Sequence, residues 1–331
     1  MSVSGTMPGM PTVAEPILTD VFASLRIAVV VPCHDEAATI GKVVRDFSAA
    51  LPGAAIHVFD NNSADDTAAR ARAAGAQVRQ VGLQGKGNVV RRAFADVDAD
   101  LYVLVDGDDT YDAAAAPALV ARLVDDGLDM VVGARRDQAE AAYRPGHRLG
   151  NRLLTRCAGQ LFGRSFEDML SGYRVFSRRY VKSFAAHAQG FETETELAVH
   201  ALQLRMPVAE VEAVYGARPE GSQSKLNTWR DGWRILMTII KLFKAERPLL
   251  FFSTGFVACA VTSVVLAIPL FETYLQTGLV PRFPTAILCV ALMLLGFLLL
   301  ACGLILDTVT RGRIEAKHLA YLAVPRLGSR T

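Results

Sequence analysis

Two uninterrupted apolar runs, residues 249–271 and 286–306, limit what this 331-residue chain can fold into. Each is roughly twenty residues long, enough to cross a bilayer as a helix. The second, AILCVALMLLGFLLLACGLIL, carries no charge, and the first has only Ser and Thr as polar residues before Pro269. Lys241, Lys244 and Arg247 precede the first run, Arg311, Arg313 and Lys317 follow the second, and the loop between holds only Glu272 and Arg282. The positive-inside rule then puts both flanks in the cytoplasm and a short loop outside. The expectation is a multi-pass protein of the cell (inner) membrane: a two-helix transmembrane hairpin over 248–310 and a cytoplasmic tail over 311–331. A helical hairpin buried in a soluble core is the competing reading.

The segment ahead of the hairpin, 229–247, changes character. Trp229, Trp233, Leu236, Ile240 and Phe243 recur at steps of four and three, while Arg230, Arg234, Lys241 and Lys244 fall elsewhere on the wheel. This is an amphipathic helix suited to a membrane surface. At the other end, residues 1–24 are rich in Gly, Pro and Ser, with neither a basic start nor an apolar run. They read as a flexible leader rather than a signal peptide. The balance of 35 Lys+Arg against 33 Asp+Glu gives a net charge of +2, so no attraction to nucleic acid is implied. The cysteines, Cys33, Cys157, Cys259, Cys289 and Cys302, lack any C-x-x-C pairing and read as small buried hydrophobes.

Between leader and surface helix, residues 25–228 alternate strand and helix patterns. Strands are expected at 26–33, 55–60, 76–81, 101–105, 128–134 and 208–217. Helices are expected at 37–51, 65–74, 88–95, 147–163 and 192–205. Such alternation indicates βαβ units and a parallel sheet, an α/β domain. Strand 101–105 (LYVLV) is apolar throughout, as a strand buried on both faces should be.

Chemistry gathers where these strands stop. The central strand ends at Asp106-Gly107-Asp108-Asp109, at the carboxyl edge where open α/β sheets bind their ligands. Crowded carboxylates repel unless a cation sits among them, and an all-oxygen set suits Mg²⁺ or Mn²⁺. A solvated turn would use the same residues. The first strand ends in Pro32-Cys33-His34-Asp35-Glu36 and the second in Asp60-Asn61-Asn62-Ser63, acceptors fit for a nucleobase and ribose. Gly85-Lys86-Gly87-Asn88 leads into a helix N-terminus, a place for diphosphate.

Rival motifs fail on inspection. Gly85-x-Gly87 lacks the third glycine of the dinucleotide fingerprint, and no G-x-x-x-x-G-K-[ST] occurs. Asp106, Asp108 and Thr110 mimic the start of a calcium loop, but its sixth position is Tyr111 and its twelfth Pro117. His34, His147, His187 and His200 are dispersed and read as surface or structural residues.

Taken in order, VVVPCHDE, DNNSADDT, QGKGNVVRRAF, VDGDD, GARR, HRLGNRL, EDMLSGYRVFSRR, GFETETE and RPEGSQSKL resemble the inverting family 2 glycosyltransferases of GT-A fold. Within them the chain looks like the polyprenyl-phosphate, dolichol-phosphate mannose synthase-like branch, over about residues 26–228. The resemblance implies a Rossmann-like nucleotide-diphospho-sugar transferase domain ahead of the surface helix and the two spans. It implies donor contacts from Pro32, Glu36, Asp60, Asn62, Lys86, Gly87, Asp106 and Gly107, with Asp106 and Asp108 as the metal-chelating D-x-D. Arg135 and Arg148 match basic positions near an acceptor phosphate, and Arg218 and Lys225 match an R-x-x-G-x-S-K segment. Asp168 precedes Ser171-Gly172-Tyr173-Arg174, where it either serves catalysis or pairs with Arg174; Glu196 lies in the acidic segment after Phe191. One departure stands out: mannosyl members show D-A-D-x-Q, and Thr110 occupies the last position here.

The implied reaction moves a hexose from a UDP- or GDP-sugar to a polyprenyl phosphate with inversion, assisted by Mg²⁺ or Mn²⁺. A phosphate nucleophile needs no strong base, and arginines suit its recognition. Transfer to a saccharide hydroxyl of a glycan or glycolipid is the alternative and would need a general base from Asp168 or Glu196. A non-catalytic, membrane-tethered nucleotide-sugar-binding protein is the third reading. Homo-oligomerisation through the spans is compatible with the sequence and not required by it.

Overall fold

A computed structural model describes residues 25–137, 166–185, 193–216 and 228–327, with Arg156 and Gly159; the side chains of Asp137 and of 228–236 are not described. Arg148, Arg218, Lys225 and the leader therefore lie outside the described residues, as does most of the helix expected at 147–163, of which Arg156 and Gly159 are helical.

The catalytic-size domain is built on one seven-stranded sheet in the order β3-β2-β1-β4-β6-β5-β7. Its strands are β1 (Ile27–Cys33), β2 (Ala55–Asp60), β3 (Gln77–Gln80), β4 (Leu101–Leu104), β5 (Met130–Asp137), β6 (Arg174–Ser177) and β7 (Val208–Tyr215). β1 pairs in parallel with β2 and β4, and β2 in parallel with β3. The register sets Cys33 beside Asp60 and Asp60 beside Gln80, so the three strand ends form one edge. The chain winds outward from β1 to β3 and then returns to the other side of β1. That reversal between β1 and β4 opens the crevice at which such sheets bind ligands.

The parallel sheet expected from the alternation is interrupted by β6. It runs antiparallel to both β4 and β5, between them, and its residues carried no strand expectation. Four residues led by a charged Arg174 show no strand periodicity; the pairing is long-range, with Leu104 opposite Arg174.

Alternation across the sheet makes two cores. Ala28, Val30, Tyr102 and Leu104 face one, shared with α3 (Lys86–Asp96), α5 (Arg178–Ser183) and α6 (Thr193–Gln203). Ile27, Val29, Val31, Leu101 and Val103 face the other, shared with α1 (Ile40–Ala50), α2 (Thr67–Ala73) and α4 (Ala116–Asp125). α1 buries Ile40, Val43, Val44 and Phe47, the helically spaced apolar set of the sequence.

His200 belongs to the first core's rim. It packs edge-on to Tyr180 and Phe184, centroids 5.1 and 5.3 Å away, with Nε2 3.0 Å from the Ser183 hydroxyl. Burial, with Lys317 nearby, lowers its imidazole to about 3. The folded chain thus keeps His200 neutral while the unfolded chain protonates it below about pH 6.5. Its contribution is complete above that pH and declines as pH falls toward 3, by up to about 1.4 kcal/mol per unit. Thermal midpoints measured from pH 7 to 4.5 should fall, and His200→Gln should flatten the slope.

C-terminal to the sheet come α7 (Thr228–Glu246), α8 (Pro248–Thr277) and α9 (Phe283–Leu322). α8 and α9 are long and apolar enough to cross a membrane and are largely unburied by protein. They approach closely where Gly296 lies under Phe256 and Cys259 and Gly303 under Phe252 and Leu249, as small residues permit between apolar helices. The Ser263 hydroxyl donates across the pair to the Cys289 carbonyl at 2.8 Å.

The tail expected from residue 311 continues α9 as helix to Leu322. At 1.5 Å per residue, its 40 residues extend about 60 Å, twice a hydrocarbon core of about 30 Å. The surplus returns to the domain. Lys317 Nζ donates to Gln203 Oε1 at 3.0 Å, and the Tyr321 hydroxyl to Asp129 Oδ2 at 2.8 Å. Asp129 is fully buried and also accepts from Ser177 Oγ at 2.7 Å and Arg179 Nη2 at 2.8 Å.

Candidate active site

Three loops meet at the switch point, and polar side chains lock them together. After β1, the Glu36 amide donates to Thr67 Oγ1 at 2.8 Å and the Ala37 amide to Asp65 Oδ2 at 3.0 Å. The Ala64 amide donates back to Asp35 Oδ1 at 2.7 Å. Asp35, Asn62 and Asp109, one per loop, adopt left-handed φ of 54°, 61° and 58°. Asp and Asn tolerate this region better than most side chains, and strain of this kind concentrates at functional sites.

Asp60 closes β2, almost fully buried, accepting from Ser63 Oγ and from Gln80 Nε2 at 3.1 Å. Its neighbour Asn61 shapes the glycine-rich loop: Nδ2 donates to the Val81 and Leu83 carbonyls at 2.8 Å, and Oδ1 accepts from the Gly85 amide at 2.7 Å. Asn62, expected at the donor, donates to the Gly82 carbonyl at 2.8 Å and so also holds this loop. Gly85 has φ 119°, a conformation open to glycine, and turns the chain into α3, where Gly87 is buried.

The carboxylate loop after β4 divides its acids. Asp109 pairs with Lys42 Nζ at 2.7 Å, so the cluster of three at this strand end is effectively Asp106, Asp108 and, from β1, Glu36. Asp108 is buried and accepts from the Thr110 hydroxyl at 2.6 Å. The threonine that departs from the mannosyl pattern thus orients the Asp108 carboxylate. Glu36 Oε2 is buried without a hydrogen bond. Burial, then repulsion by Asp108 and Asp106, raises its carboxyl to about 8. A site in which one carboxyl keeps its proton at neutral pH is short of positive charge.

Two glycines keep the space. A Cβ on Gly107 would come within 2.2 Å of Glu36 Oε2 and 2.6 Å of Cys33 Sγ, and one on Gly172 within 2.3 Å of Asp106 Oδ2. The Gly107 carbonyl is held by Thr39 Oγ1 at 2.7 Å, and the Gly172 amide donates to the Tyr111 hydroxyl at 2.8 Å. Gly172→Ala should push Asp106 aside and lower the activity of this site by about 10²-fold, the cost of a displacement near 1 Å. The thermal midpoint should hold, because only a side-chain end must move. Parallel activity and melting measurements check both halves.

Across the crevice, Asp168 receives Arg135 in a bidentate grip, Nε at 2.6 Å and Nη2 at 2.8 Å. The Arg135 guanidinium also lies 5.5 Å from the Tyr215 ring centroid. Burial alone would raise the Asp168 carboxyl, but Arg135 outweighs it and holds it below the usual range. Pairing of Asp168 with Arg174 is therefore corrected. Arg174 is fully buried and donates to the Ser171 carbonyl at 3.0 Å and the Met169 carbonyl at 2.5 Å.

Sequence reasoning picked Glu196 from α6. It lies toward Lys317 of α9, whose charge it supports. The residue of that helix brought to the crevice is Glu194, which meets Lys86 Nζ at 2.6 Å; Lys86 also pairs with Asp106. Alternating glutamates in ETETE offered no local signal to choose between them.

Among the described residues no three His, Cys, Asp or Glu side chains converge as a closed metal cage. An ion such as Mg²⁺ can be held by one or two carboxylates, with substrate phosphates and water completing its shell. Asp106 and Asp108 are carboxylates of that kind, and the buried Glu36 Oε2, an acceptor without a hydrogen bond, fits a cation nearby.

Comparison with known proteins agrees with this geometry. The glycosyl transferase family 2 profile matches residues 28–184. Glycosyltransferase AglJ of Haloferax volcanii is 32% identical over 286 residues, 86% of this chain and 93% of that protein. The dolichyl-phosphate hexose transferase of the same organism is 29% identical over 221 residues, 67% of this chain and 95% of that one. Among solved structures, glucosyl-3-phosphoglycerate synthase from Mycobacterium tuberculosis, in complex with Mn²⁺, UDP-glucose and phosphoglyceric acid, superposes with a TM-score of 0.57. It is 25% identical and covers 71% of this chain and 85% of that chain. The mixed sheet is the GT-A fold, its crevice is that of an enzyme, and the chain belongs to glycosyl transferase family 2.

Proposed function

We propose that this glycosyltransferase moves a hexose from a UDP- or GDP-sugar to a polyprenyl phosphate, with inversion, at the cytoplasmic face of the cell membrane. The observation that carries this reading is the Arg135–Asp168 pair. Transfer to a sugar hydroxyl needs a base, yet the Asp168 carboxylate is engaged by a guanidinium that holds its pKa below the usual range, which makes it a weak proton acceptor. A phosphate acceptor brings its own nucleophilic oxygen and asks instead for cations, which Arg135 offers beside Tyr215. Arg148, Arg218 and Lys225 would add to that charge. The two apolar helices support a lipid-borne acceptor, as does likeness to a transferase named for dolichyl phosphate.

Within the crevice, Asp60 and the loop held by Asn61 and Asn62 would seat the nucleoside, with Pro32 and Gly87 behind it. Asp106 and Asp108 would hold Mg²⁺ or Mn²⁺, which when bound stabilises charge on the departing diphosphate as a Lewis acid. Gly107 and Gly172 leave room for the Glu36 and Asp106 carboxylates, and Lys86 would reach the diphosphate.

The test is a transfer assay on full-length protein in detergent with Mn²⁺. It supplies radiolabelled UDP- and GDP-hexoses and offers a short polyprenyl phosphate, oligosaccharides and phosphoglycerate. Label is expected on the lipid. Label solely on a saccharide or on phosphoglycerate overturns the acceptor assignment, and donor binding without any turnover overturns the enzymatic reading.

A further inference from the structure

Lys86 opens α3 at the mouth of the crevice, and its ammonium lies between two carboxylates from distant parts of the chain. One is Asp106 at the end of β4; the other is Glu194 in the first turn of α6, 2.6 Å away and 8% exposed. The ammonium's charge offsets that of an oxygen which the D-x-D pair would offer to a metal. Asp106 Oδ2 abuts Gly172, whose backbone limits how far the carboxylate can turn away. An ammonium and a divalent ion cannot both sit against Asp106 without strong repulsion in a partly buried site.

We propose that Lys86 is an internal cation competing with the divalent ion for Asp106, and that Glu194 is the second station that retains Lys86 when the ion arrives. The inference rests on Asp106 being a metal-site carboxylate, as proposed above. Glu194 is then a positioning residue. By sharing Lys86 it weakens the lysine's hold on Asp106 and keeps the ammonium at the crevice for the donor diphosphate. The consequence is ordered loading: the ion alone binds poorly, and a nucleoside diphosphate, which attracts both Lys86 and the ion, brings it in. The coupling is reciprocal, so the ion strengthens nucleotide binding by the same factor.

The experiment titrates Mn²⁺ into full-length protein in detergent and follows free Mn²⁺ by electron paramagnetic resonance, alone and with UDP or GDP. Wild type is expected to bind Mn²⁺ alone about tenfold more weakly than with its nucleotide, within the usual range of such couplings. Lys86→Met should bind Mn²⁺ alone about tenfold more tightly than wild type while losing nucleotide affinity. Glu194→Gln should shift the other way, by a similar factor, because Lys86 then rests on Asp106 alone; Glu194→Asp should restore part of the difference. General damage to the site would weaken binding in both variants, so opposite signs are the signature. If Lys86→Met fails to fold, Lys86→Gln takes its place, with circular dichroism as the control. Equal or weaker Mn²⁺ binding in the lysine variant, or tighter binding in Glu194→Gln, overturns the competition. Absence of Mn²⁺ binding in wild type with either nucleotide, or binding that survives Asp106→Asn unchanged, overturns the metal site itself.

Discussion

With Asp108 as a ligand of the divalent ion, as proposed above, Asp108→Asn should leave the protein folded and reduce glycosyl transfer by about 10³-fold, corresponding to about 4 kcal/mol of lost stabilisation of the leaving diphosphate. The replacement is isosteric, and the amide oxygen can still accept from the Thr110 hydroxyl that holds Asp108 at 2.6 Å. Packing around this buried position is therefore preserved. What disappears is one of two negative charges able to hold a divalent ion. The same change removes a like-charged neighbour from Glu36, so that carboxyl should drop from its raised value near 8 toward an ordinary one, though burial still holds it up. Transfer measured with radiolabelled donor, beside a melting curve, is decisive. Retention of more than a tenth of wild-type transfer with an unchanged midpoint would sink the assignment of Asp108.

The largest loss of stability is expected at Arg174. Its guanidinium is fully buried and serves the Ser171 and Met169 carbonyls, which precede the Gly172 that borders Asp106. Arg174→Met removes both donors and leaves two carbonyls inside the protein, at about 1–3 kcal/mol each. A loss of about 4 kcal/mol should lower the thermal midpoint by about 10 °C for a domain of this size. Because the loop carries the site, transfer should fall as well, even below the new midpoint. Arg174→Lys, which keeps one donor and the charge, should recover part of both. A midpoint within about 2 °C of wild type for the Met variant would show that the loop is held by other means.

Much of this was legible in the residues. Period-two and helical patterns are local, so β1, β2, β4, α1 and the ends at which they place Glu36, Asp60 and Asp106 could be read directly. The two membrane-length helices follow from length and composition. β6 was not legible, because four residues beginning with an arginine show no strand period, and their place between β4 and β5 comes from pairing with residues at least 70 positions away in β4 and more than 40 away in β5. The docking of the end of α9 was not legible for a related reason: it is tied to Gln203 and to Asp129, the latter almost 200 residues earlier.

The same division runs through the site. Which chemical groups stand at the strand ends is written along the chain, since a strand terminates where apolar alternation gives way to acids and glycine. Which of them touch is a matter of topology. Asp168 is taken by Arg135 rather than Arg174, Asp109 by Lys42, and Lys86 by Glu194 together with Asp106. Each of these couplings joins residues more than thirty positions apart, except Lys86 with Asp106 at twenty. Ion pairs of this kind are chosen by the packing of the two cores around the sheet, where direction and distance are set by backbone far from the charges. Periodicity carries no record of that, and so the partners emerged only once the chain was folded.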